Sequence, residues 1–238
     1  MGKVHLVFRK EDLDQERVTN QIVVVLDILF ATSAIVSALY YGAREVIPVF
    51  DEREARKKAE GKEEFLLAGE SQGKFIDGFL TPFPGDWKEQ VKEKTLILST
   101  TNGTVAVRKA SKAHAVYIGA LLNSRFIAEN LTKNHSHQEI LILCSGSGGR
   151  FSLEDFYGAG CLVHRLTQLN ETIHLSDASR SALLLYKSNP DPNAILSLSR
   201  VGQAMIRHGY GGEVAFAAQQ DLFPLVPRLD QGAIRSLG

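Results

Sequence analysis

Cysteine is scarce in this chain, and long apolar runs are missing. Cys144 and Cys161 are the two cysteines among 238 residues, so a disulfide framework cannot organise the fold, and the composition suits a reducing cytoplasm. The apolar run nearest the N-terminus, Ile22 to Leu26, stops at Asp27, far short of the roughly 20 residues that span a bilayer. Residues 1–7 lack the apolar region of a signal peptide. We therefore expect a cytoplasmic protein with no membrane partner.

The chain also lacks an excess of either charge. It has 27 lysines and arginines against 27 aspartates and glutamates, a formal net charge of zero and a pI near 7.1. Nucleic-acid-binding domains usually carry a basic excess, so we expect no nucleic-acid partner, and any anion site must be local. No linker rich in proline, serine or charge divides the sequence. Residues 1–238 are therefore predicted to form one domain, and the composition is compatible with a homo-oligomer.

Strand and helix patterns alternate through most of the sequence. Short apolar runs predict buried strands, and amphipathic segments with capping residues predict helices between them. Repeated β–α units predict an α/β fold, here a three-layer α/β/α sandwich around a largely parallel, mixed sheet. Strands are expected at residues 4–8, 21–26, 45–49, 65–68, 95–99, 115–118 and 139–144, and helices at 32–41, 52–60 and 123–131.

The last third of the chain is expected to be a helical cover, from about residue 152 to residue 208. Its helices are predicted at 153–169, 177–187 and 192–208. A short apolar tail, from Glu213 to Pro227, is the candidate for one final strand.

Four of the predicted strands run into polar segments. These are Asp27, Gly69-Glu70-Ser71, Thr100-Thr101-Asn102-Gly103-Thr104 and Cys144-Ser145-Gly146. Taken singly, each has a structural explanation, such as a helix cap at Asp27 or a solvated acid at Glu70. Ligands of α/β sheets collect at the carboxyl ends of the strands, and a charge at the end of a buried strand is costly without a partner. We therefore predict that the four strand ends form one polar site.

The segment from Cys144 to Asp155 is the strongest local signal. An apolar strand runs into the loop Gly146-Ser147-Gly148-Gly149-Arg150, and Ser152 with Asp155 matches a helix-capping pattern. A glycine loop before a helix N-terminus directs backbone N–H groups at one point, where the helix dipole favours an anion. The segment therefore predicts a site for phosphate, sulfonate or carboxylate. The alternative is an ordinary strand-to-helix turn, in which glycines are needed only because the backbone has a positive φ.

Five ordered blocks of the chain form a larger pattern. They are Val23-Val24-Val25-Leu26-Asp27-Ile28-Leu29-Phe30-Ala31-Thr32-Ser33, Gly42-Ala43-Arg44-Glu45-Val46-Ile47-Pro48-Val49, Ala68-Gly69-Glu70, Thr100-Thr101-Asn102-Gly103-Thr104, and Cys144-Ser145-Gly146 leading to Ser152-Leu153-Glu154-Asp155. From about Val4 to Pro227, the chain resembles the 2-phosphosulfolactate phosphatases. The resemblance implies a magnesium-dependent hydrolase of α/β/α architecture. Its substrate would be a small anionic phosphomonoester, (2R)-phospho-3-sulfolactate, cleaved to 3-sulfolactate and phosphate, a step that serves coenzyme M biosynthesis or sulfolactate formation.

The implied phosphatase reaction gives each polar residue an expected role. Mg²⁺ prefers carboxylate oxygens and keeps several waters, so Asp27, Glu70 and Asp155 are the expected metal ligands. Glu154 and Asp155 are adjacent on a helix and point about 100° apart, so at most one should ligate directly. The expected catalytic residues are Asp27, Cys144 and Glu154, and the expected substrate-binding residues are Thr101, Asn102, Gly103, Thr104, Ser145, Gly146 and Arg150.

Two segments depart from the family pattern. Phe30 stands where the family usually has an arginine, and residues 78–84 read Gly-Phe-Leu-Thr-Pro-Phe-Pro in place of a Gly-Phe-Asp-Leu-Gly-Asn-Ser-Pro loop. Phenylalanine cannot bind a phosphate or sulfonate in a bidentate manner, as arginine does. The reaction class is therefore better supported than the substrate. We expect Arg150, or an arginine of the C-terminal helices such as Arg180, to supply the cation.

The sequence leaves other functions open. Cys144 and Arg150 have the spacing of cysteine-dependent phosphatases, in which a thiolate attacks phosphorus, and the substrate would then be another phosphomonoester. Asp27 resembles the nucleophile of haloacid dehalogenase phosphatases, but Leu29 stands where their second aspartate is needed. A non-catalytic anion-binding relative is the remaining alternative, motivated by Phe30.

Overall fold

The computed structural model describes residues 2–237 and has the predicted three-layer α/β/α architecture. Its strands are β1 (Lys3–Val7), β2 (Ile22–Leu26), β3 (Glu45–Val49), β4 (Phe65–Ser71), β5 (Lys74–Phe75), β6 (Thr95–Ser99), β7 (Ala115–Gly119), β8 (Ile140–Cys144), β9 (His174–Leu175), β10 (Val226–Asp230) and β11 (Ala233–Leu237). Its helices are α1 (Ala31–Tyr40), α2 (Glu52–Ala59), α3 (Gly103–Lys109), α4 (Ser124–Asn134), α5 (Leu153–Leu169), α6 (Asp177–Ser188), α7 (Pro192–Leu198), α8 (Arg200–Arg207) and α9 (Gly211–Ala217).

The central strands are short apolar runs because helices cover both faces of the sheet. Every residue of β2, β6, β7 and β8 is buried, as expected for parallel strands between two helical layers. α5 packs against α4 and α6 and against β2 and β8, whereas α1 packs against α3, β3 and β7. Within residues 2–237, no helix combines the length and the apolar character that crossing a membrane requires.

Local capping explains where several helices begin. The Ser152 hydroxyl accepts the N–H of Asp155 at 3.3 Å and starts α5, as the sequence predicts. The helix predicted over 192–208 is in fact two helices, because the Ser199 hydroxyl accepts the N–H of Gly202 at 3.0 Å and starts α8. The predicted cap of α1 is also wrong: α1 begins at Ala31, and the Thr32 hydroxyl bonds to the backbone of Asp27.

β10 and β11 form an antiparallel hairpin in the middle of the sheet. The tail from Glu213 to Pro227, where the sequence predicts a final strand, instead contains most of α9 and only the start of β10. The strand order is β5-β4-β6-β3-β11-β10-β7-β2-β8-β1-β9. β10 is antiparallel to β7 and to β11, and β11 is antiparallel to β3. Three successive antiparallel pairings reverse the strand direction, so β3, β4 and β6 run opposite to β1, β2, β7 and β8 along the sheet. The carboxyl ends of the parallel strands therefore do not share one edge.

The carboxyl ends of β2 and β6 nevertheless meet. Five pairings separate β2 from β6, roughly 24 Å at about 4.8 Å per pairing, so the two ends meet through the segment that follows β6. α3 follows β6 and packs against both β2 and β3. A Cβ placed on Gly103, the first residue of α3, would lie 2.5 Å from Oδ2 of Asp27. Glycine at this position allows the two groups of strands to meet at one site.

Candidate active site

Asp155 connects the loops that follow β2 and β8. One carboxylate oxygen accepts the N–H of Ile28 at 2.8 Å, and the other accepts the N–H of Gly146 at 3.2 Å. Burial, with the negative charges of Asp27 and Glu154, raises the pKa of Asp155 well above its usual range. Two backbone donors are the kind of partner that a buried carboxylate requires. Asp155 therefore holds two strand ends together.

Asp27 and Glu154 are both buried within this framework, close enough for the charge of Glu154 to act on Asp27. Their exposed fractions are 6% and 2%. Burial, followed by the charges of Glu154 and Glu70, raises the pKa of Asp27 to about 7, and Lys10 opposes the shift. Burial also raises the pKa of Glu154, although the hydroxyls of Ser152 and Ser199 and the guanidinium of Arg200 oppose it. The pair forms a pocket of negative charge that protons or a cation would stabilise.

Glu70 fixes the loops after β4 and β6. One carboxylate oxygen accepts the N–H of Thr101 at 2.7 Å, and the other accepts the Thr101 hydroxyl at 2.9 Å and the N–H of Gly73 at 2.8 Å. The Thr104 hydroxyl has a similar structural role, since it bonds to both the N–H and the C=O of Thr100. Of the polar residues after β6, Asn102 is the one that bonds to the glycine loop, through the N–H of Gly148 at 3.4 Å.

The residues present fit a magnesium ion in part. Within residues 2–237, no group of three or more histidine, cysteine, aspartate or glutamate side chains is arranged to hold a metal. Asp27, Glu70 and Asp155 are therefore not brought together as one ligand set. Asp27 and Glu154 do suit Mg²⁺, which proteins often hold through one or two carboxylates together with waters and substrate phosphate. The completely buried Ser145 hydroxyl, which has no hydrogen-bond partner in the described part of the chain, adds another oxygen at the end of β8.

The glycine loop does not form the expected cradle of N–H groups. The N–H of Gly146 bonds to the carboxylate of α5, and those of Ser147 and Arg150 bond to each other's C=O at 3.0 and 3.2 Å. The N–H of Gly148 points to the Asn102 side chain. Gly146 has a φ of +67°, and a Cβ there would lie 2.8 Å from the Arg150 carbonyl. The glycines thus permit a tight turn whose amides bond within the protein.

Lys10 is a candidate that the sequence analysis missed. It follows β1 and is 6% exposed, and its Nζ donates to Oδ1 of Asn102 at 2.8 Å and pairs with Glu11 at 2.9 Å. Its positive charge opposes the rise in the pKa of Asp27. The signal available in the sequence was a basic pair, Arg9-Lys10, directly after an apolar strand.

Arg150 does not occupy the position that the sequence predicts. Its side chain is exposed, as is that of Arg180 on α6. Arg200, at the start of α8, instead donates to the carbonyl of Ser147 at 2.9 Å and lowers the pKa of Glu154. The arginine whose charge acts on Glu154 therefore comes from a helix that the sequence did not separate from its neighbour.

Cys144 has the properties of a core residue. It is 1% exposed, and burial, with the charges of Asp155 and Glu154, raises the pKa of its thiol well above the usual range. A cysteine nucleophile needs a lowered pKa and access to the substrate. The structure therefore argues against the predicted catalytic role of Cys144.

The two departures from the family pattern touch each other. Phe30 is 7% exposed, and its ring meets that of Phe83 edge-on at 5.2 Å. Phe83 also contacts Phe75 at 5.9 Å and Tyr210 at 4.9 Å. Phe75 pairs with Glu70 in the ladder of β4 and β5, which places this aromatic cluster beside Glu70. An aromatic wall thus stands where the family pattern predicts a cation.

Comparison with known proteins agrees with the blocks in the sequence. A family model described as 2-phosphosulpholactate phosphatase matches residues 7–232. A protein of Caldanaerobacter subterraneus is 38% identical over 221 residues, 90% of each chain. One of Carboxydothermus hydrogenoformans is 37% identical over 229 residues, 94% of this chain and 92% of the relative. One of Clostridium beijerinckii is 32% identical over 236 residues, 98% of each chain. Each is named "Probable 2-phosphosulfolactate phosphatase". This chain therefore belongs to the 2-phosphosulfolactate phosphatase family, whose name is that of a phosphoric monoester hydrolase.

Proposed function

We propose that this protein is a magnesium-dependent phosphatase that hydrolyses (2R)-phospho-3-sulfolactate to 3-sulfolactate and phosphate. One observation carries the proposal: Asp27, Glu154 and Lys10 are all buried, and the charges of Glu154 and Lys10 both act on Asp27 at the end of β2. The family and the names of its relatives supply the reaction.

The residues of the site divide into those that hold loops and those that face the reaction. Asp155 and Glu70 bind backbone N–H groups, so the loops keep their shape while the charge on the substrate changes. Asp27 and Glu154 would hold Mg²⁺, which when bound neutralises charge on the phosphoryl oxygens. The unpartnered Ser145 hydroxyl is available as a hydrogen-bond donor to the same oxygens. The burial of Cys144 and the raised pKa of its thiol support water as the attacking group.

A less anionic phosphomonoester is a second candidate substrate. Phosphosulfolactate brings a phosphate, a sulfonate and a carboxylate into one pocket, and several cations are needed to offset them. Phe30 and Phe83 form an apolar side of the site, which favours a substrate whose far end is less charged. The two substrates share the phosphate and differ in what contacts the aromatic rings.

Phosphate release from phosphosulfolactate, with and without EDTA, tests the proposal. We expect release to stop on chelation and to return with added Mg²⁺. Glu154→Gln should lower kcat about 100-fold or more, since it removes one of the two carboxylates that would hold Mg²⁺. The exposed Glu89→Gln is the matched control and should leave kcat unchanged.

Each contrary result points to a different alternative. Undiminished activity in EDTA would exclude the metal requirement. Release of phosphate from a simpler phosphomonoester, but not from phosphosulfolactate, would support the second substrate class. No release from either compound would indicate a non-catalytic relative.

A further inference from the structure

We propose that Lys10 is the residue that binds the transferred phosphoryl group, and that Asn102 positions its ammonium. The inference rests on the proposed function only for the statement that a phosphoryl group is transferred here. It adds a substrate-binding residue and a positioning residue to the site.

Burial is the first argument, because lysine side chains are almost never fully buried without a partner. Lys10 is 6% exposed. An ammonium has three N–H donors, and the described structure gives two of them partners, Asn102 at 2.8 Å and Glu11 at 2.9 Å. One donor therefore remains for a ligand.

The position of Lys10 is fixed from three sides. Its backbone N–H donates to the carbonyl of Ser145 at 3.3 Å, which ties it to the end of β8. Asn102, after β6, accepts its ammonium and also the N–H of Gly148. The ammonium thus lies where the ends of β1, β6 and β8 converge, close enough to Asp27 to lower its pKa.

The arginines and the described loop amides near the site already have partners, which leaves Lys10 and the neutral Ser145 hydroxyl as donors. Arg9 binds Asp12 and the carbonyl of Gly149, and Arg200 binds the carbonyl of Ser147. The loop amides described above bond within the protein. A phosphate beside Asp27 and Glu154 needs a cation at close range, and Lys10 is the buried lysine that lies there.

A structural role for Lys10, as a counter-charge to Glu11 and Asp27, is the competing explanation. The two roles predict different responses of Lys10 to added phosphate. A purely structural lysine stabilises the fold but does not respond to phosphate, whereas a binding lysine changes its environment when phosphate arrives.

The experiment compares Lys10→Met with Lys112→Met. Lys112 is a surface lysine, 54% exposed and paired with Glu16, and serves as the matched control. We expect Lys10→Met to weaken binding of inorganic phosphate, measured by calorimetry, by at least about tenfold, as for the loss of a charge-assisted hydrogen bond. Its kcat/KM should fall about 100-fold, the usual effect of removing one donor to a transition-state oxyanion. Lys112→Met should change neither value by more than about twofold.

Asn102→Ala tests the positioning role. Phosphate binding should weaken by a smaller factor than in Lys10→Met. The double variant should bind no more weakly than Lys10→Met alone, because Asn102 acts through the lysine. If the two substitutions add fully, Asn102 acts independently and the positioning role is excluded.

NMR of the unmodified protein keeps the test independent of how the variants fold. Addition of inorganic phosphate should shift the ¹⁵Nζ resonance of Lys10 and leave that of Lys112 in place. The inference would be overturned if a folded Lys10→Met variant bound phosphate as tightly as the unmodified protein does. It would also be overturned if the Lys10 resonance did not move at saturating phosphate. Because these readouts use inorganic phosphate, they can succeed even if phosphosulfolactate is not hydrolysed, and the two proposals fail separately.

Discussion

In the absence of divalent cations, raising the pH from 5 to 8 should destabilise this protein, and Asp27→Asn should remove much of the effect. Burial and the charges of Glu154 and Glu70 raise the pKa of Asp27 from 3.8 to about 7. The folded protein therefore keeps this proton up to about pH 7, whereas the unfolded chain has already lost it. Wherever the folded state binds more protons than the unfolded state, the free energy of unfolding falls as the pH rises.

The size of the effect follows from the shift. A change from 3.8 to about 7 is about three pKa units, and each unit is worth about 1.4 kcal/mol, so Asp27 contributes on the order of 4 kcal/mol below pH 3.8. Between pH 5 and pH 8 only the part from pH 5 to about 7 is lost, about two units or roughly 3 kcal/mol. The pKa values of Glu154 and Asp155 are raised by burial as well, and they act in the same direction. A bound cation would replace the protons, so added Mg²⁺ should stabilise the protein more at pH 8 than at pH 5.

Urea unfolding, followed by the fluorescence of Trp87, measures this directly. Trp87 is the single tryptophan of the chain and is fully buried, so its emission should change on unfolding. Asp51→Asn is the control, because Asp51 caps α2 at the surface and asparagine caps a helix nearly as well. The reasoning would be refuted if the free energy of unfolding at pH 8 equalled or exceeded that at pH 5. It would also be refuted if Asp27→Asn left the pH dependence of stability unchanged.

Three further predictions concern single residues of the site. Asp155→Ala should lower the free energy of unfolding, measured in urea, by at least about 2 kcal/mol, because each unsatisfied donor costs about 1–3 kcal/mol. The N–H groups of Ile28 and Gly146 lose their acceptor in this variant. A loss of stability seen only in the presence of Mg²⁺ would indicate that Asp155 is a metal ligand instead. Cys144→Ala should keep kcat within about tenfold, and rapid-quench mass spectrometry should find no phosphocysteine; a trapped intermediate would restore the cysteine mechanism. Arg200→Ala should raise KM more than Arg150→Ala, since Arg200 lies near Glu154; the reverse order would return Arg150 to the site.

The sequence alone determined the elements whose signals are local. The apolar runs at Glu45–Val49 and Thr95–Ser99 and the helix Leu153–Leu169 match the prediction residue for residue. Each is set by periodicity within a few residues, and the cap at Ser152 lies three residues from its partner. The family resemblance rested in the same way on short blocks in a fixed order, and the family model confirms it.

The tertiary structure decided which polar groups remain available for a ligand. Asp155 binds Ile28, 127 residues away, and Lys10 binds Asn102, 92 residues away. No local pattern encodes such pairs, so Lys10 went unnoticed and Asp155 was expected to bind a metal.

The tertiary structure also decided how the strand ends meet. The sequence suggested that they share one edge of a parallel sheet, whereas the β10–β11 hairpin reverses one group of strands against the other. Hairpin insertion depends on pairing with β3 and β7, which lie far away in the sequence, and α3, which follows β6, then packs against β2. The sequence specified the residues of the site, but the pairing of the strands and the packing of α3 determined which of them touch.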